Sequence, residues 1–597
     1  MKLILILLAF ALRIYHLNAS PLRGDEAFAV RYWAAPPAGI LNRLAWIEPH
    51  PFGTFFIFWA WKSLVGDGEF AMRMLPALIN VLGVPAMYAL GRRLLRGNVA
   101  PLAAAFLWAL DPNLIWHAQD VRNYAIWAAM SAVSMWLLLR ATDRSRRIDW
   151  LLYILSATLT LYVFFLEAFM IVVQGFYVLT SRRQAARAWL LSIGLVALLL
   201  IPWFGQLWAL AHSGYAGTSA PVHLADLLWR FWPALFVGEW ALDSGFAFVG
   251  APLLFGVFCL LLWRMTKQHA GAGALIALWL IIPATLLVLA ATRINVFLPR
   301  YLIAVTPAVL LVVAWTASDD LAAYKSPVKL ALIGITVLMM LPSLASYYSL
   351  AYPKAPDWYS LRDYLRANTS AADAVIMASL DPQTGNADPA FEYYYSGPAQ
   401  IITLPHPDIE IEPTIRQALD RRRAVWFVVS GTDTEPINRA LLADGALISD
   451  QGAGRSFLVR QYRARQPKAI EVDSPLALSV GGGALSGYSL GGWKRSGSAL
   501  TLLLFWKQKP ADGLTVFVHL IGPPKADGSP LWTQDDHPPA APGRDVYLLN
   551  LAGVPPGRYQ IEIGLYDPKT NQRLPIMDAV GARIGESYTL TDVTVGE

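Results

Sequence analysis

Long apolar runs recur from residue 1 to about residue 350 and then stop. A bilayer-crossing helix needs about 20 mostly apolar residues, and hydrocarbon admits only segments that satisfy their own backbone hydrogen bonds. Runs of this kind lie near 1–17, 70–91, 99–116, 121–140, 149–163, 165–181, 187–209, 246–264, 273–291, 300–317 and 328–348. Residues 1–350 are therefore predicted to form a polytopic α-helical membrane domain of about 11 spans. The charged content agrees: 15% of the chain, where a soluble domain carries about 25%.

The short loops between runs carry the basic residues. Arg92, Arg93 and Arg96 fall in one loop, Arg140 to Arg147 in the next alternate loop, then Arg182 to Arg187, Arg264 with Lys267, and Lys325 with Lys329. With the runs above, all of these clusters lie on one face, which the positive-inside bias makes cytoplasmic. That pattern accounts for the net charge of +6 better than nucleic-acid binding does. The segment 51–65, "PFGTFFIFWAWKSLV", would break the pattern as a span, so it is expected to lie at the outer interface, where Trp59, Trp61 and Lys62 suit the headgroup boundary. The first run resembles a signal peptide in length, but Arg13 interrupts it and many runs follow, which favours a retained span. The single cysteine, Cys259, rules out a disulfide framework or a Cys-based zinc site.

Residues after 350 are expected outside the cytoplasm. In 351–467, "DWYSLRDYLRAN" and "EPINRALLADG" read as helices, and "DAVIMAS", "AVWFVVSG" and "FLVRQYR" as strands, which together make a small α/β domain without a Gly-rich phosphate loop. In 468–597, the alternation of Tyr559, Ile561, Ile563 and Leu565 with polar neighbours, and strands such as "LTVFVHLIG", predict a β-sandwich. Trp493, Trp532 and Tyr547 are candidates either for stacking on sugars or for its core.

The chemistry-bearing positions gather in the predicted outer loops. "SPLRGDEAFAVRYW" follows the first run and holds Asp25 and Glu26. Carboxylates beside hydrocarbon are costly, so a functional role is the default; the structural alternative is Asp25 as the N-cap of a short helix. "HAQDVRNYA" places Asp120, Arg122 and Tyr124 at a second outer turn, where Arg122 pairs with an anionic headgroup or with Asp120. "EPHPFG" holds His50, "GDGEFAMRMLPAL" holds Arg73, and "RINVFLPRYL" holds Arg300 and Tyr301. A sugar leaving on a lipid phosphate needs cations for the phosphate, which Arg supplies in bidentate geometry, and one general base for the acceptor. The candidate catalytic residues are Asp25, Glu26 and Asp120. The candidates for binding lipid phosphate and sugar are Arg122, Tyr124, Arg73, Lys62, His50, Arg300 and Tyr301. No cofactor is expected. A divalent metal on His50 or His117 with Asp25 or Asp120 lacks any ligand-spaced motif.

At these residues the chain resembles the GT-C membrane glycosyltransferases, and most of all the family 39 group of dolichyl-phosphate-mannose protein mannosyltransferases and bacterial aminoarabinose transferases. "GDEAFAVRYW", "EPHPFGTFFIFWAWKSLVGDGEFAMRMLPAL", "QDVRNYA" and "PRYLIAVTPA" occur in that order across most of 1–350. The resemblance implies a catalytic acid at Asp25, a second-turn acid at Asp120 (with Asp111 as a competitor if the span ends shift), a late Arg–Tyr pair at Arg300 and Tyr301, a polyprenyl-phosphate sugar donor, and inversion at the sugar carbon. The acceptor (glycan, lipid or protein) is not specified, because the repeats that accompany eukaryotic protein mannosyltransferases are missing from the sequence. A transporter or flippase would place its ionisable groups near the membrane midplane, where only Glu167 is a candidate. A non-catalytic envelope protein would bind glycans through 470–597.

Overall fold

The computed structural model describes residues 2–38, 48–213, 217, 222–238, 245–321, 326–349, 354–379, 386–407, 409–429, 434–464, 474–492, 499–525, 527–539, 543–551 and 553–595. The chain divides into two compact units, Met1–Ala355 and Pro356–Glu597. The first is helical and the second is rich in strand, as the break in hydropathy implies.

The helical unit begins with α1 (Lys2–Ile14) and the short α2 (Gly24–Phe28). It continues through α3 (Phe52–Val65), α4 (Glu69–Val81), α5 (Gly83–Leu94), α6 (Val99–Leu110), α7 (Pro112–Ala118) and α8 (Tyr124–Arg144). Further helices follow as far as Ser326–Tyr348. Among the described residues, four helices are long and apolar enough to cross a membrane: Glu69–Leu94, Tyr124–Arg144, Ala270–Ala291 and Pro299–Leu321. Two bent pairs raise the number to six if each is one span. At 14 residues, α3 is about 21 Å long, short of a hydrocarbon core of about 30 Å.

Arg13, the residue that interrupts the first apolar run, is fully buried. Its guanidinium donates to Asn80 Oδ1 at 2.8 Å and to the carbonyls of Ala9, Ala109 and Trp108 at 3.1 Å. A charge survives away from water when its donors are matched, so Arg13 ties α1 to α4 and α6. Where α5 meets α6, the Gly83 backbone lies against the Trp108 ring. A Cβ there would sit 2.0 Å from ring carbon, so only glycine fits. Asp111 caps α7, its Oδ1 accepting from Leu114 N at 2.9 Å, and Pro112 opens that helix.

The second unit contains a five-stranded sheet in which Gln400–Leu404, Ala374–Ala378 and Val425–Val429 run parallel and Phe457–Ala464 and Gly445–Ala453 complete an antiparallel edge. Helix Glu435–Asp444 ends at Gly445, as its sequence predicts. Two further sheets share one apolar core built from both, including Leu502, Leu504, Val516, Val518, Ile561 and Ile563. This is the arrangement of a β-sandwich. The proposed sugar-stacking aromatics fare differently. Trp493 lies outside the described residues. Tyr547 is fully buried in the sandwich core, stacked on His537 at 4.2 Å, because its side chain falls on the inward face of its strand. Trp532 is partly buried against that core and donates its indole N–H to the Pro523 carbonyl at 2.9 Å. Among the described residues, the buried Tyr547 hydroxyl has no hydrogen-bond partner. Tyr547→Phe is therefore expected to stabilise the protein by about 1 kcal/mol, read as a higher thermal unfolding midpoint; a lower midpoint would show that the hydroxyl is satisfied.

Candidate active site

The site is assembled around Glu26. Its carboxylate accepts from both arms of Arg73, Nε to Oε1 and Nη2 to Oε2, each at 2.8 Å. It also accepts from Arg23 N at 3.1 Å and Val121 N at 3.0 Å. Arg73 spends its remaining donors on the carbonyls of Leu17, Ser20 and Pro21. Both side chains are sealed, at 0% and 1% exposure. Glu26 and Arg73 were expected among the catalytic and substrate-binding groups. With every strong donor and acceptor satisfied internally, they instead clamp the loop after α1, helix α4 and the 119–123 turn to one another. Asp25 is not the N-cap of α2; that place belongs to Arg23. Consecutive helical residues point about 100° apart, so burying Glu26 leaves Asp25 at the surface, where it is exposed. Among the described residues no donor hydrogen-bonds its carboxylate.

Around Asp25 the cations converge from its own loop and from two other segments. Arg122 donates Nη1 to the Asp25 carbonyl at 3.3 Å, and its guanidinium lies 4.0 Å above the Trp33 ring and 5.9 Å from Tyr124. Arg300 lies 5.5 Å from the same Tyr124 ring and 5.9 Å from Tyr301. Two guanidiniums thus lie beside one aromatic ring, whose faces favour cations electrostatically. The Arg122 charge holds the Asp25 carboxyl below the usual carboxylate range, against the desolvation of its surroundings; Arg23 and Arg300 add to the effect and Asp120 opposes it.

Asp120 is fully buried and pairs not with its neighbour Arg122 but with Arg23. Lys354 Nζ stands 3.5 Å from its other oxygen, and His117 Nδ1 3.8 Å away. Burial pushes the Asp120 carboxyl upward, but Arg23, Lys354 and His117 outweigh it and hold the group well below its ordinary range. Asp111, the competing acid, is committed to capping α7. His50 is buried, its Nδ1 bonded to Glu48, with its ring packed on Trp33 at 4.8 Å and Phe164 at 5.5 Å. Burial lowers the His50 pKa, and the adjacent Glu48 works against the shift. Burial pushes the Glu48 carboxyl up, while His50 and Arg122 outweigh that and keep it ionised. Gln206 fastens this turn by donating to the carbonyls of Glu48 and His50 at 3.2 and 2.8 Å.

Of the expected residues, Asp25, Asp120, Arg122, Tyr124, His50, Arg300 and Tyr301 meet in one cluster. Lys62 stands apart, donating to the Val30 carbonyl at 3.2 Å and pairing with Asp67 at 3.5 Å. Glu167, the candidate for a transport role, is buried at the start of its helix and accepts from Trp127 Nε1 at 2.8 Å. Among the described residues, no group of three or more His, Cys, Asp or Glu is placed to hold a metal. Sequence reasoning missed Arg23, Trp33, Glu48 and Lys354 as members of the cluster. The first three lie within stretches that the reasoning used, but Lys354 carries no signal beyond being a lysine after the last apolar run. Arg300 is the second residue of the 3-10 segment Pro299–Val305, whose Leu302 and Val305 line an apolar cavity of about 600 Å³ with Phe231, Trp232, Phe258 and Leu262.

Comparison with known proteins points to the same class. Residues 49–205 match the family model described as dolichyl-phosphate-mannose-protein mannosyltransferase. The chain thus resembles the GT-C superfamily of membrane glycosyltransferases. More particularly, it is 27% identical over 271 residues to the undecaprenyl phosphate-α-4-amino-4-deoxy-L-arabinose arabinosyl transferase of Pseudomonas paraeruginosa (strain DSM 24068 / PA7). That match spans 40% of this chain and 46% of the relative, so the chain covers about half the length of the curated relative. Among solved structures, ArnT from Cupriavidus metallidurans bound to undecaprenyl phosphate superposes with a TM-score of 0.47 at 14% identity, over 78% of this chain and 99% of that one. Its apo form gives 0.49 at 15% identity, over 77% and 97%. Arabinosyltransferase EmbB from Mycobacterium smegmatis gives 0.32 at 14% identity, over 98% and 64%.

Proposed function

We propose that the protein transfers a monosaccharide from a polyprenyl-phosphate donor to an acceptor on the non-cytoplasmic side of the cell membrane, with inversion and with Asp25 as general base. The observation that carries this reading is the unequal treatment of two adjacent acids. Glu26 is consumed by Arg73, while Asp25 is exposed, ionised and ringed by the charges of Arg122, Arg23 and Arg300.

In the proposed step the acceptor oxygen attacks the anomeric carbon as the bond from that carbon to the phosphate oxygen breaks. The acceptor proton passes to Asp25, and the bonding pair leaves with the phosphate. Because the leaving group is already anionic it needs no general acid; it needs the cations Arg122 and Arg300. Those same cations depress the basicity of Asp25 in the empty site. A bound phosphate neutralises them, so Asp25 becomes a stronger base when the donor is present. A single carboxylate acting on one displacement leads to inversion, whereas a retaining route needs a nucleophile and a covalent intermediate. The apolar cavity beyond Arg300 suits the first isoprene units of the donor tail. The matched family and the curated relative, by their names, act with polyprenyl-phosphate sugars, which supports the donor class.

The decisive experiment incubates the purified protein with a panel of radiolabelled polyprenyl-phosphate sugars and scores release of polyprenyl phosphate. One donor is expected to be consumed; failure with every donor, in protein that unfolds cooperatively, sinks the reading. Arg122→Gln is expected to lower kcat/KM about 100-fold, as loss of one phosphate or oxyanion donor does. A variant within threefold of wild type would remove Arg122 from the phosphate site.

A further inference from the structure

We propose that Lys354, on the segment that leaves the last helix of the helical unit, is a positioning residue of this site: its ammonium locks the Asp120 carboxylate and the end of α7 together, so that Asp120 in turn holds Arg23 beside Asp25. The proposal rests on the transferase reading above and adds to it a residue from a part of the chain that neither the motifs nor the family match reaches.

The contacts fit an ammonium group closely. Its Nζ donates to the carbonyls of Trp116 at 2.6 Å and Gln119 at 3.2 Å, and stands 3.5 Å from Asp120 Oδ1. Two of its donors are taken by these carbonyls, and the Asp120 carboxylate pairs with its charge. Trp116 and Gln119 lie at the C-terminal end of α7, where carbonyls lack intrahelical partners and attract cations. The Trp116 ring lies 4.5 Å from Nζ and the Tyr347 ring 5.4 Å, so two aromatic faces close over the charge. The side chain is only 4% exposed. A lysine that merely snorkels keeps its head in water; this one is drawn in toward the 119–123 turn. That turn supplies Asp120 to Arg23, Val121 N to Glu26 and Arg122 to Asp25. Losing Lys354 would loosen the one turn on which all three contacts depend.

Around Lys354 stand Asp120 and His117 on the turn and α7, His16 and Arg23 between α1 and α2, Glu26 on α2, Arg73 on α4, and Tyr347 and Tyr348 on the last helix. Burial pulls the ammonium down to about 8; Asp120 and Glu26 work against the shift, and Arg73 and Arg23 reinforce it. The clamp therefore releases as pH rises through about 8.

The test compares wild type, Lys354→Arg and Lys354→Met, each checked for cooperative unfolding, in the donor-release assay from pH 6 to 10. Wild type is expected to lose activity along an alkaline limb near pH 8. Lys354→Arg, whose charge persists above pH 12, is expected to shift that limb upward by a unit or more. Lys354→Met is expected to lower kcat about 10- to 100-fold, with little change in KM and no limb of its own. A wild-type limb that survives unchanged in either variant overturns the proposal and leaves the transferase reading intact. A second arm needs no activity. The folded-state pKa lies below the unfolded value, so the unfolded chain binds more protons between about pH 8 and 10.5, and wild type should gain stability relative to Lys354→Met across that window. A flat difference in thermal midpoint overturns the buried contact. If no donor is turned over by wild type, the transferase reading fails, and this second arm still decides whether Lys354 is clamped to Asp120.

Discussion

Asp25→Asn is expected to lower sugar transfer by about 10²- to 10⁴-fold, the range for removing a general base, while the thermal midpoint stays within a degree or two of wild type. The stability half of the expectation follows from exposure. Among the described residues no hydrogen bond reaches the Asp25 carboxylate, and Arg122 bonds its backbone carbonyl instead. Asparagine preserves size and leaves that contact in place. The activity half follows from chemistry, because an amide cannot accept the acceptor's proton. Donor binding should hardly change, since the guanidiniums remain, so the loss is expected in kcat rather than KM. A fully active Asp25→Asn protein would transfer the base role elsewhere in the cluster; Glu48, ionised beside His50, would be the next group to examine.

Arg73→Met is expected to do the opposite: to destabilise the helical unit by about 3–5 kcal/mol, the cost of leaving one partner of a buried ion pair alone. Glu26 would keep its bonds to Arg23 N and Val121 N but lose both charged arms of Arg73. The carbonyls of Leu17, Ser20 and Pro21 would lose their donor as well. The double variant Glu26→Gln/Arg73→Met should recover part of the loss, because no unpaired buried charge remains. Unfolding midpoints of the three variants in detergent would measure this. If Arg73→Met instead folds as wild type does but loses donor affinity, Arg73 belongs to the phosphate site after all.

These two predictions separate residues that look alike in sequence. "GDEAF" presents two neighbouring acids, and nothing in five letters says which is structural. The partners that decide it are remote: Arg73 is 47 positions from Glu26, and Asp120 is 97 from Arg23. Arg122 seemed the natural mate for Asp120 by adjacency, yet it lies on the Asp25 carbonyl and the Trp33 ring instead. Tyr547 shows the same limit in the β-sandwich, where strand alternation is legible but the identity of the inward face is settled by the second sheet.

Hydropathy by itself determined that residues up to about 350 form apolar helices and that a strand-rich part follows, because solvent partitioning is a local, additive property of the chain. It also singled out the loop after the first run as the place for chemistry, since carboxylates beside hydrocarbon need a reason to be there. Tertiary structure decided which carboxylate is spent on the fold and which stays open to solvent, and it recruited Lys354, 238 positions away from Trp116, to the site. Ion pairing between distant segments depends on three-dimensional approach and on competition among several partners, and neither is written in the order of residues.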